Sequence, residues 1–300
     1  MKILVLGGTR FFGIQLVWAL LEKGHRVTIA TRGLTRDPFG PAVERVIVDR
    51  TDPSAMKAAF SHRSFHTVCD DLAYCSNDVK TALDSLHCSR YVMVSSAAVY
   101  SLRPGVCEQS FDPLAHPLRW GCRADFDYAE GKRQAERALF GEYPLQQAAA
   151  VRFPFVLGPG DYTRRLYFYV EHAVRRLPLY VDAPEAQLSF IHQADAGRFL
   201  AWLAAESPLT GPVNACCPGT ASVADLLGYV RSRTGGSPLL LTTAPRPTAS
   251  IPAGPRAQAS PFRPCKAGFP ACWTAVSSRR SGACNHDLPA RRSSALRLVL

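Results

Sequence analysis

The sequence has no apolar run that approaches the roughly 20 residues of a membrane-spanning helix. Its opening residues run straight into glycines and show no cleavage site for export, so we expect a cytoplasmic protein that does not contact a membrane. The ten cysteines lack the spacing of a metal site, so we predict free thiols and no metal ion. The chain has 300 residues, 47% of them hydrophobic and 10% aromatic, which is enough to bury a large core.

Acidic residues are nearly absent from the last 55 residues, where Asp287 stands against nine Lys and Arg. This stretch holds +8 of the net charge of +11, so residues 1–245 are nearly balanced at +3. Residues 246–300 also lack hydrophobic periodicity, which predicts an irregular, disordered tail. Because the chain has 29 arginines and 6 lysines, we hypothesise a GC-rich gene in which roughly the last 40 residues are frameshifted. The alternative is a basic arm for nucleic acid, although the tail lacks interleaved aromatic residues.

A glycine turn joins the first apolar run to the first helical pattern. The run 3–6 meets Gly7 and Gly8, and a helical period begins at Gly13. Gly7 and Gly8 permit a turn that a Cβ would obstruct, and Gly13 lets the helix begin close to the strand. The alternative is a merely tight turn, but the strand before it and the helix after it favour dinucleotide binding. The predicted cofactor-binding residues here are Gly7, Gly8, Thr9, Arg10, Phe11, Phe12 and Gly13.

No acidic residue ends the second predicted strand, 26–31. An acid at this point would bind the ribose 2′-hydroxyl and repel a 2′-phosphate. Arg32 supplies a cation instead, and Arg10 offers a second one from the glycine turn. The pair favours NADP, with NAD as the other candidate. The alternative is that both arginines are simply solvated on loops.

The rest of the first half alternates between strands and helices, which predicts a parallel sheet covered on both faces. Strands are predicted at 44–48, 66–70, 90–95 and 149–153, and helices at 53–60 and 77–86. In such sheets the ligand lies beyond the carboxyl ends of the strands, so we expect the residues there to contact it. The further predicted cofactor contacts are Asp49, Leu72, Ala73, Ser95 and Phe153, each at or just after the end of a strand.

Tyr128 and Lys132 are four residues apart in a predicted helix and therefore share a face. A phenol has a reference pKa of about 10, and a neighbouring ammonium favours the phenolate, which would lower the pKa towards neutrality. The hydroxyl of Ser96, at a strand end, could then hold a substrate oxygen while the proton moves. Such a pair also arises by chance on helix surfaces, but its place after a nucleotide turn favours catalysis.

The runs GGTRFFG, VSSAAVY and YAEGKRQAE together resemble the extended short-chain dehydrogenase/reductase family, the NAD-dependent epimerase/dehydratase group, over about residues 1–240. The resemblance implies a Rossmann-type α/β fold: a doubly wound parallel sheet with a small C-terminal substrate lobe. We expect the nucleotide domain at 1–160, the lobe at 161–245 and the tail at 246–300. By the same resemblance, Ser96, Tyr128 and Lys132 are the catalytic residues, Lys132 also holds the nicotinamide ribose, and Tyr128 exchanges a proton with the substrate.

The sequence departs from this family at two points. Arg10 stands where the family has the middle glycine of the turn, and residues 187–189 read QLS where many members carry an arginine for the substrate diphosphate. Arg152, Arg164 and Arg165 could still bind an anion, or could be solvated.

The resemblance therefore implies an epimerase, dehydratase or reductase that acts on a sugar or nucleotide sugar, and fold analogy does not choose among these reactions. We also expect a homodimer. The alternative function is a non-catalytic relative that reads NADP or binds RNA, although a nucleic-acid partner is disfavoured because the Tyr128–Lys132 pair is retained.

Overall fold

A seven-stranded parallel sheet forms the centre of the computed structural model, which describes residues 1–101 and 105–241. The described strands are β1 (Lys2–Leu6), β2 (Arg26–Thr31), β3 (Glu44–Ile47), β4 (Ser64–Asp70), β5 (His87–Ser96), β6 (Gln147–Phe153), β7 (Phe155–Leu157), β8 (Pro178–Tyr180), β9 (Phe190–His192), β10 (Gly211–Asn214) and β11 (Leu239–Leu241). The order in the sheet is β10-β6-β5-β4-β1-β2-β3, and every neighbouring pair is parallel. The order reverses between β1 and β4, where such sheets bind ligands. The predicted Rossmann-type fold is thus confirmed.

Seven α-helices accompany the strands in the described residues, and most begin at a residue that can cap them. They are α1 (Phe11–Glu22), α2 (Pro53–Phe60), α3 (Ser76–Leu83), α4 (Tyr128–Glu142), α5 (Arg165–Val174), α6 (Gln193–Ala205) and α7 (Val223–Thr234). Asp127 caps α4 by accepting the Glu130 amide, and Ser222 and Asp225 form a capping box on α7. Gly235 ends α7 with φ +68°, a conformation that favours glycine. Local sequence therefore fixes these boundaries.

The sheet is covered on both faces, so its strands are nearly continuous apolar runs. The four residues of β1 from Ile3 to Leu6 are fully buried. On one face α1 packs against α6, because Gly197 has no Cβ; a Cβ there would lie 2.6 Å from the backbone nitrogen of Leu16. On the other face α4 packs beside α3, and a Cβ on Gly131 would lie 2.4 Å from the carbonyl oxygen of Tyr74. This second approach brings the start of α4 close to the end of β4.

A smaller apolar cluster lies beside the sheet, where α5 and α7 pack together over the β8–β11 pair. Its buried members are Ala173, Leu179, Val223, Leu227 and Val230. Between β8 and α7 the chain returns to the large sheet: α6 packs on α1, and β10 pairs with β6. The predicted domain boundary at residue 160 stays a prediction. The smaller cluster combines α5 and β8, which precede α6 in the chain, with α7 and β11, which follow β10.

The described residues contain no helix long and apolar enough to cross a bilayer. The cysteines in the same part of the chain are free, and Cys69, Cys75 and Cys216 are buried. The predicted tail, 246–300, and the frameshift hypothesis lie outside the described residues.

Candidate dinucleotide and catalytic site

The glycine turn between β1 and α1 is a cradle that any Cβ would fill. Gly7 and Gly8 adopt φ values of +106° and +80°, which favour glycine. A Cβ on Gly8 would lie 3.0 Å from side-chain atoms of Val5 and Val17, and one on Gly13 would lie 3.0 Å from the Cα of Gly8. The first amides of a helix have no partner within it, so the start of α1 can offer backbone N–H groups to an anion, although the Gly13 amide donates to the Arg10 carbonyl at 3.0 Å. This cradle fits the pyrophosphate of a dinucleotide.

Aromatic side chains surround the turn. Phe11 is buried despite φ +50°, and its ring meets that of Tyr162 edge to face at 6.5 Å. The ring of Phe12 lies 5.6 Å from that of Phe153 at the end of β6. Thr9 is half-buried in the turn. These rings form apolar walls, so the predicted contacts Phe11, Phe12 and Phe153 lie together as expected.

Arg10, at the N-cap position of α1, reaches from the turn towards the loop after β2. Its Nη2 donates to Thr35 Oγ1 at 3.0 Å, and its guanidinium lies 5.6 Å from the ring centre of Tyr162. Arg32 is exposed on the same loop, directly after β2. The two arginines thus border the edge of the site where the sequence predicts the adenosine ribose, and the preference for NADP stays a prediction.

Asp49 follows β3 at the same edge and is ionised at neutral pH. Its carboxylate accepts hydrogen bonds from the Thr51 amide at 2.9 Å and the Thr51 hydroxyl at 2.7 Å. These hydrogen bonds, together with the charges of Arg32 and Arg123, lower the pKa of Asp49. The carboxylate therefore offsets part of the positive charge that Arg32 would present to a 2′-phosphate.

Ser96, Tyr128 and Lys132 come together at the carboxyl end of β5, as the sequence predicts. Tyr128 is the first residue of α4, and Ser96 is the last of β5. The hydroxyl of Ser96 acts on the phenol of Tyr128 and favours its ionised form, and Ser96 Oγ accepts the amide of Ala98 at 3.2 Å. Lys132 Nζ lies 5.8 Å from the ring centre of Tyr128. Tyr128 is 53% exposed, so a substrate can approach it from solvent.

Lys132 is buried and oriented by backbone carbonyls. Its Nζ donates to the carbonyl oxygens of Ala73 and Val94, each at 2.7 Å, and lies 4.4 Å from the ring centre of Tyr74. Burial lowers the pKa of Lys132 to about 8. An ammonium has three N–H donors, so one donor remains beyond these two bonds for a ribose hydroxyl.

The expected effect of Lys132 on Tyr128 is wrong for the protein without cofactor. The pKa of Tyr128 is raised above its ordinary value, because the loss of water around the phenol outweighs the hydrogen bond from Ser96 and the charge of Arg165. The ammonium of Lys132 is held by the two carbonyls, several ångströms from the phenol. Tyr128 is therefore a protonated phenol at neutral pH.

Asp71 directly follows β4 and lies at the site, although the cofactor contacts predicted after this strand are only Leu72 and Ala73. Its Oδ2 would lie 2.7 Å from a Cβ on Gly13, and its own Cβ 3.4 Å from one on Gly7, so the carboxyl lies against the glycine turn. The pKa of Asp71 is raised to about 7, because burial and the charge of Asp70 outweigh the opposing effects of Lys132 and of the Gly8 amide. The neighbouring Leu72 contacts Gly7 through its side chain, as expected of a residue lining the turn.

Two residues predicted near the site have side chains that face the protein interior. The expectation that Arg152 could bind an anion is wrong, because its guanidinium is fully buried and paired with Glu136 at 2.5 Å. Ser95 is also buried, and its hydroxyl donates to Glu136 Oε1 at 2.5 Å. The side chain of Ser95 is thus engaged away from the cofactor. Arg164 and Arg165 are exposed at the start of α5, and Arg165 is the one whose charge acts on Tyr128.

The comparisons with known proteins agree with this geometry. Residues 3–81, from β1 to within α3, match the model of the NAD dependent epimerase/dehydratase family. The predicted resemblance to this family is confirmed.

Over 199 residues the chain is 31% identical to the chloroplast stem-loop binding protein of 41 kDa b of Arabidopsis thaliana, covering 59% of this chain and 48% of that protein. It is 28% identical over 269 residues to UDP-glucuronic acid decarboxylase 3 of the same plant, covering 77% of this chain and 74% of the relative. The chain thus spans about half of the first relative.

Solved structures of this family share the fold at low sequence identity. UDP-glucose 4-epimerase from Thermotoga maritima, solved with UDP-glucose, superposes with a TM-score of 0.64 and 18% identity over 83% of this chain and 87% of that chain. The dTDP-glucose 4,6-dehydratase from Bacillus anthracis, solved with NAD, has a TM-score of 0.64 and 15% identity over 88% of this chain and 87% of that chain. At such identities the likeness establishes the fold alone.

Proposed function

We propose that this member of the NAD-dependent epimerase/dehydratase family is an enzyme that moves a hydride between a nicotinamide cofactor and a sugar or nucleotide-sugar carbon. The observation that carries the proposal is the meeting of Ser96, Tyr128 and Lys132 at the end of β5, beside a glycine cradle that fits a pyrophosphate. In these roles Tyr128 is the acid/base, Ser96 holds the reacting oxygen, and Lys132 holds the ribose.

The bound nicotinamide would supply the hydride donor or acceptor, and the chain supplies the proton. Because the pKa of Tyr128 is raised, its phenol can donate a proton to a substrate oxygen at neutral pH. To accept a proton it needs nearby positive charge, which Arg165 provides. Ser96 acts on the phenol of Tyr128 from the end of β5, so both hydroxyls can contact the same substrate oxygen. Removing the hydroxyl of Tyr128 or Ser96 should affect turnover more than cofactor binding, whereas removing Lys132 should weaken both.

Two features support NADP and a nucleotide sugar as ligands. Arg10 and Arg32 border the expected ribose edge, although Asp49 offsets part of their charge. Arg164 and Arg165 are exposed at the start of α5, where Arg165 acts on Tyr128, so they are the cations in reach of a substrate diphosphate. Relatives named for UDP-sugar and dTDP-sugar reactions agree with this class. NAD remains the other cofactor candidate, and the homodimer remains a prediction.

The test compares Tyr128→Phe with Tyr229→Phe, a matched loss of one hydroxyl from an exposed tyrosine on α7. Wild-type protein and both variants are titrated with NADP and NAD, then assayed against a panel of UDP-sugars and dTDP-sugars for product formation. We expect Tyr128→Phe to bind cofactor as the wild type does and to lose turnover at least a hundredfold, whereas Tyr229→Phe keeps both. Full turnover by Tyr128→Phe would refute the assignment.

A second candidate function is RNA binding, and one comparison favours it: a relative is named a stem-loop binding protein. Residues 1–245 carry only +3, so the body offers little nonspecific attraction to RNA. The full-length protein can be titrated with a stem-loop RNA, with and without saturating NADP. Displacement of the RNA by NADP would support an RNA site at the glycine turn, and absence of binding at low salt would remove this candidate.

A further inference from the structure

We propose that Asp71 is a proton-binding member of the dinucleotide site: it takes up a proton when the cofactor's pyrophosphate binds, so that cofactor affinity falls as pH rises. This inference rests on the proposed function, since it requires the glycine turn to hold a dinucleotide. It adds a residue whose charge state decides whether the cradle accepts an anion.

The carboxyl of Asp71 lies against the part of the turn that would face the phosphates. Its Oδ2 is 2.7 Å from the position of a Cβ on Gly13, the residue that brings α1 close to β1. The amide of Gly8, within the same turn, favours its ionised form. An ionised carboxylate in this place would repel an anion and would keep one turn amide for itself. A neutral carboxyl would repel the anion less and would hold the amide less strongly.

The surroundings of Asp71 leave it ready to change charge near neutral pH. Burial brings its pKa to about 7. Lys132 stabilises the ionised form through space, but its short hydrogen bonds go to the carbonyls of Ala73 and Val94. A bound pyrophosphate adds negative charge and raises this pKa, which means that binding takes up a proton. The titratable groups that face Asp71 are Lys132 and Tyr128 on α4, and Cys69, Asp70 and Tyr74 on β4 and the segment after it.

The pKa of Asp71 sets how strongly cofactor affinity and proton uptake should depend on pH. With a pKa of about 7, roughly 90% of the free protein carries ionised Asp71 at pH 8 and roughly 10% at pH 6. If only the neutral form binds, cofactor binding takes up about 0.9 proton at pH 8 and about 0.1 at pH 6, and the dissociation constant is about tenfold higher at pH 8. Asp71→Asn keeps an acceptor for the Gly8 amide and cannot ionise, so it should bind about tenfold more tightly than the wild type at pH 8 and equally at pH 6.

The experiment is calorimetric titration of the full-length protein with NADP and with NAD at pH 6 and pH 8, in buffers that differ in ionisation enthalpy. Proton uptake at pH 8 is taken as the wild-type value minus the Asp71→Asn value, which cancels the titration of the NADP 2′-phosphate. Asp182→Asn removes the same charge from an exposed position and should keep the wild-type uptake.

The outcomes separate this inference from the proposed function. An uptake difference near one proton at pH 8, together with tighter binding by Asp71→Asn, supports the inference. Cofactor binding with equal uptake in wild type and Asp71→Asn overturns the role of Asp71 and leaves the proposed function in place. If Asp71→Asn does not fold, the proton uptake of the wild type on binding NAD still tests the inference. An uptake near zero at pH 8 would overturn the role of Asp71. If neither dinucleotide binds at either pH, the proposed function fails and this inference fails with it.

Discussion

Replacing Asp71 with asparagine should stabilise the protein without cofactor, by an amount that grows with pH. The folded-state pKa of Asp71 is about 7 against an ordinary value of 3.8, so between these values the folded protein binds more protons than the unfolded chain. Stability contributed by the protonated carboxyl is therefore present at low pH and lost as pH rises from about 4 to 7. Each pH unit in this window costs about 1.4 kcal/mol. The advantage of Asp71→Asn should then increase by about 2–3 kcal/mol between pH 5 and pH 8.

Urea unfolding at pH 5 and pH 8 measures this advantage directly, since the midpoint reports stability when the slope is unchanged. Comparing each variant with the wild type at the same pH cancels the titration of groups that the mutation does not touch. The Asp182→Asn control should show the same small effect at both pH values, because its side chain is exposed. An Asp71→Asn advantage that is equal at pH 5 and pH 8 would show that Asp71 does not titrate in this window and would contradict the reasoning.

Two further predictions concern other charged groups. Glu136→Gln leaves the fully buried Arg152 without its carboxylate, so the free energy of unfolding should fall by about 3–5 kcal/mol, whereas Glu142→Gln, on the exposed end of the same helix, should cost less than about 1 kcal/mol in urea unfolding. A small loss for Glu136→Gln would contradict the buried pair. Arg32→Ala should weaken NADP binding by about tenfold and leave NAD binding nearly unchanged, with the exposed Arg36→Ala as control in the same titration. Equal losses for both cofactors would rule out a 2′-phosphate contact by Arg32.

The parts of the structure that the sequence predicts well are those with a strong local signal. The glycine turn is one, because positive φ angles at Gly7 and Gly8 and the close approach at Gly13 leave few other residues acceptable. The helix 53–60 is another, since Asp52 caps its start, Pro53 suits its first position, and the structure has the same bounds. The spacing of Tyr128 and Lys132 likewise predicts a shared helix face correctly.

The parts that the sequence missed depend on contacts between distant segments. The strands β7, β8 and β11 have three residues each, too few to show a period, and each forms only when its partner is adjacent. From the sequence, Arg152 is predicted to bind an anion or to be solvated, because arginine side chains are mostly exposed. Its buried partner Glu136 lies on α4, so the sequence around Arg152 does not reveal the pair. The pKa of Tyr128 is raised by the loss of water around its phenol and lowered by the charge of Arg165 on α5, and the α4 sequence contains neither effect.

The central claim is that the turn of Gly7, Gly8 and Gly13 holds a dinucleotide, and Gly13→Ala tests it most directly. An added Cβ would meet Asp71 Oδ2 at 2.7 Å and the Cα of Gly8 at 3.0 Å, so the turn must widen, whereas the helical backbone itself accepts alanine. Gly228→Ala on α7 is the control, because nothing lies within 4 Å of its added Cβ. Calorimetric titration with NADP and NAD should show binding by wild type and Gly228→Ala and at least a tenfold loss in Gly13→Ala. Absence of wild-type binding, or equal affinity in the two variants, would contradict the account.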